Sequence, residues 1–287
     1  MTPTVRGALW MFGMVVSLSL LAIAARELAD RHNPLELQVV RHGLSMLVLL
    51  PFIARAGFRP VRTNNLKLQI FRNLAHFAAT IGWYAAVTLL PLAEVFAIEF
   101  TTPVWVALLA VLFLGERMNR GRIVALVLGL IGIAVILRPG FTEVGWGTWM
   151  MVASAFGFAV ANACTKGLTR TDSVLTVLFW MSLLQGAMAL VGASFDWTPP
   201  TWDEVPWLVI VGLMGLAAHF SLAKALTHAD VSLVNPVDFL RLPLIAVVGF
   251  FAYGEAVEIW VYLGAALIFA GNYYAIRRES GRPKAAP

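Results

Sequence analysis

Residues 90–118, LPLAEVFAIEFTTPVWVALLAVLFLGERM, and residues 229–257, ADVSLVNPVDFLRLPLIAVVGFFAYGEAV, align without a gap at a shift of 139 residues. The alignment sets Glu99 on Asp238 and Gly115-Glu116 on Gly254-Glu255. Carried onward, it sets Gly132 on Gly271 and Arg138 on Arg277. Earlier in the chain, GALWM from Gly7 and GTWMM from Gly147 align at a shift of 140, which sets Arg26 on Lys166. A near-constant shift over this length marks a duplication. The chain therefore divides into a first unit, 1–140, a second unit, 141–280, and a short tail, 281–287.

Both units belong in a bilayer. Of the 287 residues, 60% are hydrophobic and only 13% charged, and the mean hydropathy is +0.79, far from the make-up of soluble domains. Apolar runs long enough to cross a hydrocarbon core of about 30 Å recur at 8–25, 35–54, 70–90, 92–114, 122–138, 146–165, 173–193, 205–226, 231–253 and 257–276. The first run has Arg6 ahead of it and small residues at Ala22, Ala24 and Ala25, the look of a cleavable signal. Nine further spans follow, so it is read as an uncleaved helix. The expected fold is an all-α integral membrane protein of ten transmembrane helices, arranged as two five-helix repeats. An odd number of spans per unit inverts the second unit in the membrane.

The net charge of +5 records this topology and not a nucleic-acid partner. Arg6, Arg55, Arg59, Arg62, Lys67, Arg72, Arg117, Arg120, Arg122, Lys166, Arg170, Lys224, Arg277, Arg278, Arg282 and Lys284 fall on one side of the membrane. Arg26, Arg31 and Arg138 fall on the other, and Arg41 and Arg241 lie within spans. The positive-inside rule then puts both termini in the cytoplasm. The loop ERMNRGR, 116–122, carries three cations where its equivalent, EAVE at 255–258, carries none, as inversion requires.

With these motifs in view, the chain resembles the drug/metabolite transporter superfamily, EamA type. The resemblance rests on LPLAEVFAIEFTTPVWVALLAVLFLGER in the first unit, FLRLPLIAVVGFFAYGE in the second, and a Pro-Leu-Glu…Arg pattern from Pro34 to Arg41. It covers about residues 7–278. It implies a bacterial inner-membrane carrier of small solutes, in a family with amino-acid exporters and with importers of riboflavin and S-adenosylmethionine. The Gly-Glu pairs at 115–116 and 254–255 are its most visible mark. At helix ends they read as turns, because glycine suits a reversed backbone there.

The chemistry is expected inside the bundle. Glu99 and Asp238 are acidic, lie within spans and are equivalent in the duplication, so they should face protein or a wet cavity. Arg241 sits one turn from Asp238, whereas Thr102 holds the equivalent position beside Glu99. Glu99 is therefore read as lacking a local cation and, with Asp238, as a proton- or cation-coupling site. Pro103, Pro236 and Pro243 should make the same two spans irregular. Gln38, Arg41, His42 and Ser45 share one helix side, as do His76, Thr80, Trp83 and Tyr84. Arg41, which the family pattern includes, is expected either to neutralise Glu99 or to hold a substrate carboxylate. The substrate-contact set is Arg41, His42, His76, Trp83, Tyr84, Asn162, Trp180, His219 and Arg241.

Trp83, Trp105 and Trp180 are taken to line a cavity, and Trp146, Trp149, Trp197, Trp202 and Trp207 to anchor the interfaces. Gly129, Gly132, Gly212, Gly215, Gly264 and Gly271 should permit close helix approach. The single cysteine, Cys164, removes disulfide and thiolate-zinc chemistry. There is no GxxxxGK[ST], HExxH or GxSxG. HNPLE from His32 lacks a third ligand for a metal.

The resulting expectation is a secondary carrier, not an enzyme, without cofactor or metal. It works by alternating access and is proton-coupled, as a monomer or homodimer among membrane lipids. Its substrate would be an amino-acid-like zwitterion or a flat aromatic cation, moved by export in preference to uptake. The rival classes are an intramembrane enzyme acting on a lipid-like substrate and a passive channel.

Overall fold

The computed structural model describes residues 2–114, 120–138, 144–168, 170–228, 237–256 and 258–280. Gly115-Glu116, Arg117, Pro236, Arg282 and Lys284 lie outside the described residues. The α-helices are α1 (Pro3–Leu28), α2 (Pro34–Arg55), α3 (Leu66–Leu89), α4 (Leu92–Glu99), α5 (Thr102–Leu114), α6 (Arg120–Leu137), α7 (Trp146–Leu168), α8 (Val174–Ala193), α9 (Val205–His228), α10 (Arg241–Tyr253) and α11 (Ile259–Ser280). With α4 and α5 as one broken span, and α10 as the described part of the ninth, they make ten spans in two inverted sets of five.

Local chemistry explains where the helices begin. Asn33 caps α2 by accepting the Leu35 and Glu36 amides, Pro34 fills the first position, and the Glu36 carboxylate in turn accepts the Asn33 amide. That capping box satisfies donors a helix start otherwise leaves free. Ser173 plays the same part for α8, accepting the Thr176 amide. Gly254 ends α10 at φ 64°, the left-handed turn expected of the Gly-Glu pair.

Exchanging the halves maps α1 on α7, α2 on α8, α3 on α9, α4–α5 on α10 and α6 on α11. The packing obeys that exchange. α1 lies along α9 and its mate α7 along α3; α2 touches α9 and its mate α8 touches α3; α5 touches α7 and its mate α10 touches α1. The pairs α2–α8, α4–α10 and α6–α11 map onto themselves.

The α6–α11 crossing is close because glycines face each other. A Cβ on Gly264 would lie 2.5 Å from the Gly132 carbonyl oxygen, and one on Gly132 would lie 2.7 Å from the Gly264 carbonyl. Backbone oxygens cannot swing aside as side chains do, so a methyl group must push the helices apart. Gly264→Ala is expected to destabilise by roughly 1–3 kcal/mol. Gly43→Ala, where nothing lies within 4 Å, should be neutral; equal melting points for the two variants would refute the close crossing.

One end of the bundle is cation-poor, and its three arginines all bind carboxylates of the other half. Arg26 pairs with Glu255 at 2.9 Å, Arg31 with Glu204 at 3.0 Å, and Arg138 with Glu258. Glu255 also accepts the Leu92 amide at 2.8 Å, tying α10 to α4. Below this layer one continuous apolar core runs from Leu21–Leu28 through Trp83–Val87 and Leu92–Phe100 to Ile245 and Ile268. Toward the other end the described apolar residues divide. Met11, Met14 and Val15 pack on α9, while Leu49 and Ile53 pack on Leu178, Phe179 and Met181 of α8. Polar side chains occupy the ground between.

The fourth span is irregular beside Glu99, and it is a full break where Pro103 suggested a kink. It breaks at Phe100–Thr101, and Pro103 stands in the first turn of α5, where its missing N–H is harmless. The freed Phe100 carbonyl accepts Asn272 Nδ2 from α11 at 3.2 Å, so the break is satisfied inside protein, as the membrane demands.

Candidate functional site

Two polar constructions occupy the interior. The first gathers around the broken span. Arg241, 3% exposed at the side chain, donates from Nη1 to Glu99 Oε1 at 2.9 Å and pairs through Nε with Asp238 Oδ1 at 3.2 Å. Trp83 Nε1 donates to the other Glu99 oxygen at 2.7 Å. The guanidinium also lies over the Phe96 and Phe100 rings, at 4.7 and 5.1 Å from their centroids. Phe100 packs on Phe239, its equivalent in the duplication, at 4.6 Å. Glu99 and Asp238, one from each half, thus share one cation. Glu99 has no cation on its own helix, as its neighbour Thr102 suggested; its partner comes from the second half. Arg41 is not that partner.

The second construction, termed the chamber, is a cluster of buried polar side chains between α2, α3, α8 and α9. α2 supplies Gln38, Arg41, His42 and Ser45, all buried. α3 supplies Gln69, Arg72, Asn73, His76, Thr80 and Tyr84, which recur at three- and four-residue spacing down one buried face. Gln185 of α8 bridges them, meeting His76 Nδ1 at 3.1 Å and donating to Asn73 at 2.8 Å. Arg72 donates to the same Asn73 oxygen at 2.9 Å and to Thr165 of α7 at 3.1 Å. The half-buried His219 of α9 lies 5.7 Å from His76, ring to ring, and Phe158 lies against the other edge at 5.5 Å. Arg41 lies across Gly215, where a Cβ would come within 2.5 Å of Nε, and within electrostatic reach of Tyr84.

Two features define what this chamber can do. Among the described residues neither Arg41 nor Arg72 has a carboxylate partner, although both are 4% exposed. Among the described residues Gln38 Nε2, His42 Nδ1 and Ser182 Oγ are buried without a protein hydrogen-bond partner, while Tyr84 Oη faces Arg41. Buried polar atoms are normally satisfied, and an intramembrane cation without a counter-charge is expensive. The cluster therefore presents positive charge without a carboxylate to balance it among the described residues.

Of the expected contacts, the structure brings Arg41, His42, His76, Tyr84 and His219 together here, and Trp83 and Arg241 at the triad. Two of the expected contacts stand apart from both groups. Trp180 donates its indole N–H to the Val61 carbonyl at 3.2 Å, against the 56–65 loop. Asn162 is exposed on α7, and among the described residues it has no hydrogen-bond partner. Arg72, counted from sequence only among the cations of one membrane side, is a buried residue of α3. Trp105 donates to Thr101 at 3.2 Å beside the break.

Residues 5–138 and 145–277 each match the EamA-like transporter family. The riboflavin transporter of Rhizobium johnstonii is 30% identical over 284 residues, covering 97% of this chain and 93% of its own. The riboflavin transporter of Vibrio cholerae is 29% identical over 288 residues, covering 97% and 95%. The S-adenosylmethionine uptake transporter of Rickettsia felis is 27% identical over 270 residues, covering 94% and 92%. A solved crystal structure, 18% identical, matches with a TM-score of 0.66 over 98% of this chain and 99% of that one, a likeness of fold alone.

Proposed function

The chain belongs to the EamA-like transporter family, and from that premise we propose that it takes up a neutral, acceptor-rich aromatic metabolite of the riboflavin kind across the bacterial inner membrane. That it is a multi-pass membrane transporter of a small metabolite, and not an enzyme, follows from the family and from relatives named as such. The observation that carries the finer reading is the chamber's charge. Arg41 and Arg72 stand with three histidines and with unpaired donors, and among the described residues no carboxylate faces them. Carbonyl oxygens and ring nitrogens of a flavin, and the hydroxyls of its side chain, are the groups such donors hold.

The same charge argues against the zwitterion or flat cation expected from sequence. A sulfonium such as S-adenosylmethionine would meet like charge in the chamber, and the two intramembrane acids are already committed to Arg241. Uptake, not export, is the direction supported, since the relatives whose names give one are uptake transporters. The cation-rich end and both termini face the cytoplasm in this reading. Coupling is assigned to the triad: two carboxylates share one guanidinium, so a single proton neutralises the set.

The test is riboflavin uptake by cells unable to make the vitamin, with and without this chain. Growth on limiting riboflavin, undiminished by excess S-adenosylmethionine, is expected. Uptake of S-adenosylmethionine with no effect on riboflavin would transfer the proposal to the cationic substrate.

A further inference from the structure

The two ends of the α2–α8 pair are held by related clips. At the cation-poor end the 194–204 loop folds onto the start of α2. The Thr198 amide donates to Glu36 Oε1, Asn33 Nδ2 to the Asp196 carbonyl at 3.2 Å, and Arg31 to Glu204 Oε1 at 3.0 Å. At the other end Asp172, just ahead of α8, accepts from the Thr63 hydroxyl, from the Asn64 amide at 3.0 Å and from Gln69 at 3.0 Å. The duplication, at a shift of 140, sets His32 on Asp172, Asn33 on Ser173, Glu36 on Thr176 and Asn64 on Glu204. The His32–Glu204 contact is thus the pseudo-two-fold mate of Asp172–Asn64.

The chemistry of the mates differs. His32 is 5% exposed, and each ring nitrogen faces a carboxylate: Nδ1 lies 2.9 Å from Glu36 Oε2 and Nε2 lies 3.3 Å from Glu204 Oε2. All four carboxylate oxygens already accept a hydrogen bond or ion pair. Glu36 receives the Thr198 and Asn33 amides; Glu204 receives Arg31 and, at 2.7 Å, the Thr201 amide. A neutral imidazole carries one N–H and would turn its lone pair toward the remaining carboxylate. Only the imidazolium satisfies both contacts.

We propose that His32 is a proton-binding site at the cation-poor end, and that its clip with Glu36 and Glu204 holds only while the ring is protonated. The charged groups facing the ring are Glu36 on α2 and Glu204 ahead of α9, with Arg31 engaged by Glu204. Glu204 is held down to about 2, chiefly by the Thr201 amide and further by His32 and Arg31, so it remains the anion the clip needs. The sign follows: the proton stabilises the closed clip, so the stabilisation is complete in acid and is lost as pH rises. The mate does not share this behaviour. Burial pushes the Asp172 carboxyl up, but the hydrogen bonds from Thr63, Asn64 and Gln69 outweigh it and hold the group below its ordinary range. Asp172 stays ionised where histidine titrates, about pH 5 to 8. The two ends therefore answer pH differently, and only the cation-poor end responds.

The experiment is the melting temperature of the purified full-length chain across that range, in wild type, His32→Gln, Glu204→Gln and Asp172→Asn. Other histidines also titrate, so the reading is the difference between variants. Glu204→Gln is the decisive one: it removes the negative charge that faces Nε2 and with it the need for a second ring proton, while the acceptor it takes from Arg31 or the Thr201 amide lowers the melting point at every pH alike. The wild type should lose about 2–4 °C more than His32→Gln and Glu204→Gln as pH rises. Asp172→Asn should melt lower throughout but keep the wild-type slope. If His32→Gln does not fold, Glu204→Gln alone decides. A wild-type slope retained in Glu204→Gln, or a wild type no steeper than its variants, would overturn the proposal.

Discussion

Arg241→Gln is expected to lower stability by roughly 3–5 kcal/mol, the range for removing one partner of a buried ion pair, and to lower the melting temperature by about 10 °C. The guanidinium is 3% exposed and is the cation that Glu99 and Asp238 share. Without it two carboxylates from opposite halves face each other where water is scarce, and the Phe96 and Phe100 rings lose the cation they hold. A double variant, Arg241→Gln with Glu99→Gln, should recover part of the loss, because it removes one of the stranded charges along with their partner. Thermal melts of the three proteins check this. A single variant as stable as wild type would mean that the triad does not bind the halves together.

Arg41→Gln should behave in the opposite way. Among the described residues Arg41 has no carboxylate to strand, so its loss relieves a buried charge and should leave the melting temperature of the ligand-free protein unchanged or raised. Riboflavin binding should nevertheless weaken by about 10- to 100-fold, the loss of one charge-assisted hydrogen bond. Quenching of flavin fluorescence measures the affinity, and a thermal melt measures the rest. A stability loss with affinity intact would make Arg41 a packing residue.

The sequence carried the architecture further than it carried the site. The spans were legible because bilayer thickness fixes their length, and the inversion was legible in the charges of two equivalent loops. The break in the fourth span was not. Pro103 drew attention as a kink, yet Thr101, Thr102 and Pro103 together form a helix-start signature, and the helix restarts there. Arg72 was counted only as a charge of one membrane side; its spacing from Asn73, His76 and Thr80 on α3 held the further signal. The Glu99–Arg241 pair and the His32–Glu204 contact join residues 142 and 172 positions apart, where helical spacing has nothing to say.

The shared arginine also bears on how such a chain is assembled. Glu99 aligns with Asp238, but Arg241 aligns with Thr102 and Phe96 with Asn235. An antiparallel dimer of two first halves would set two glutamates together with no cation. The first half by itself lacks the arginine that its glutamate needs, so the fusion of the two is no longer a convenience of the gene but a condition of the triad.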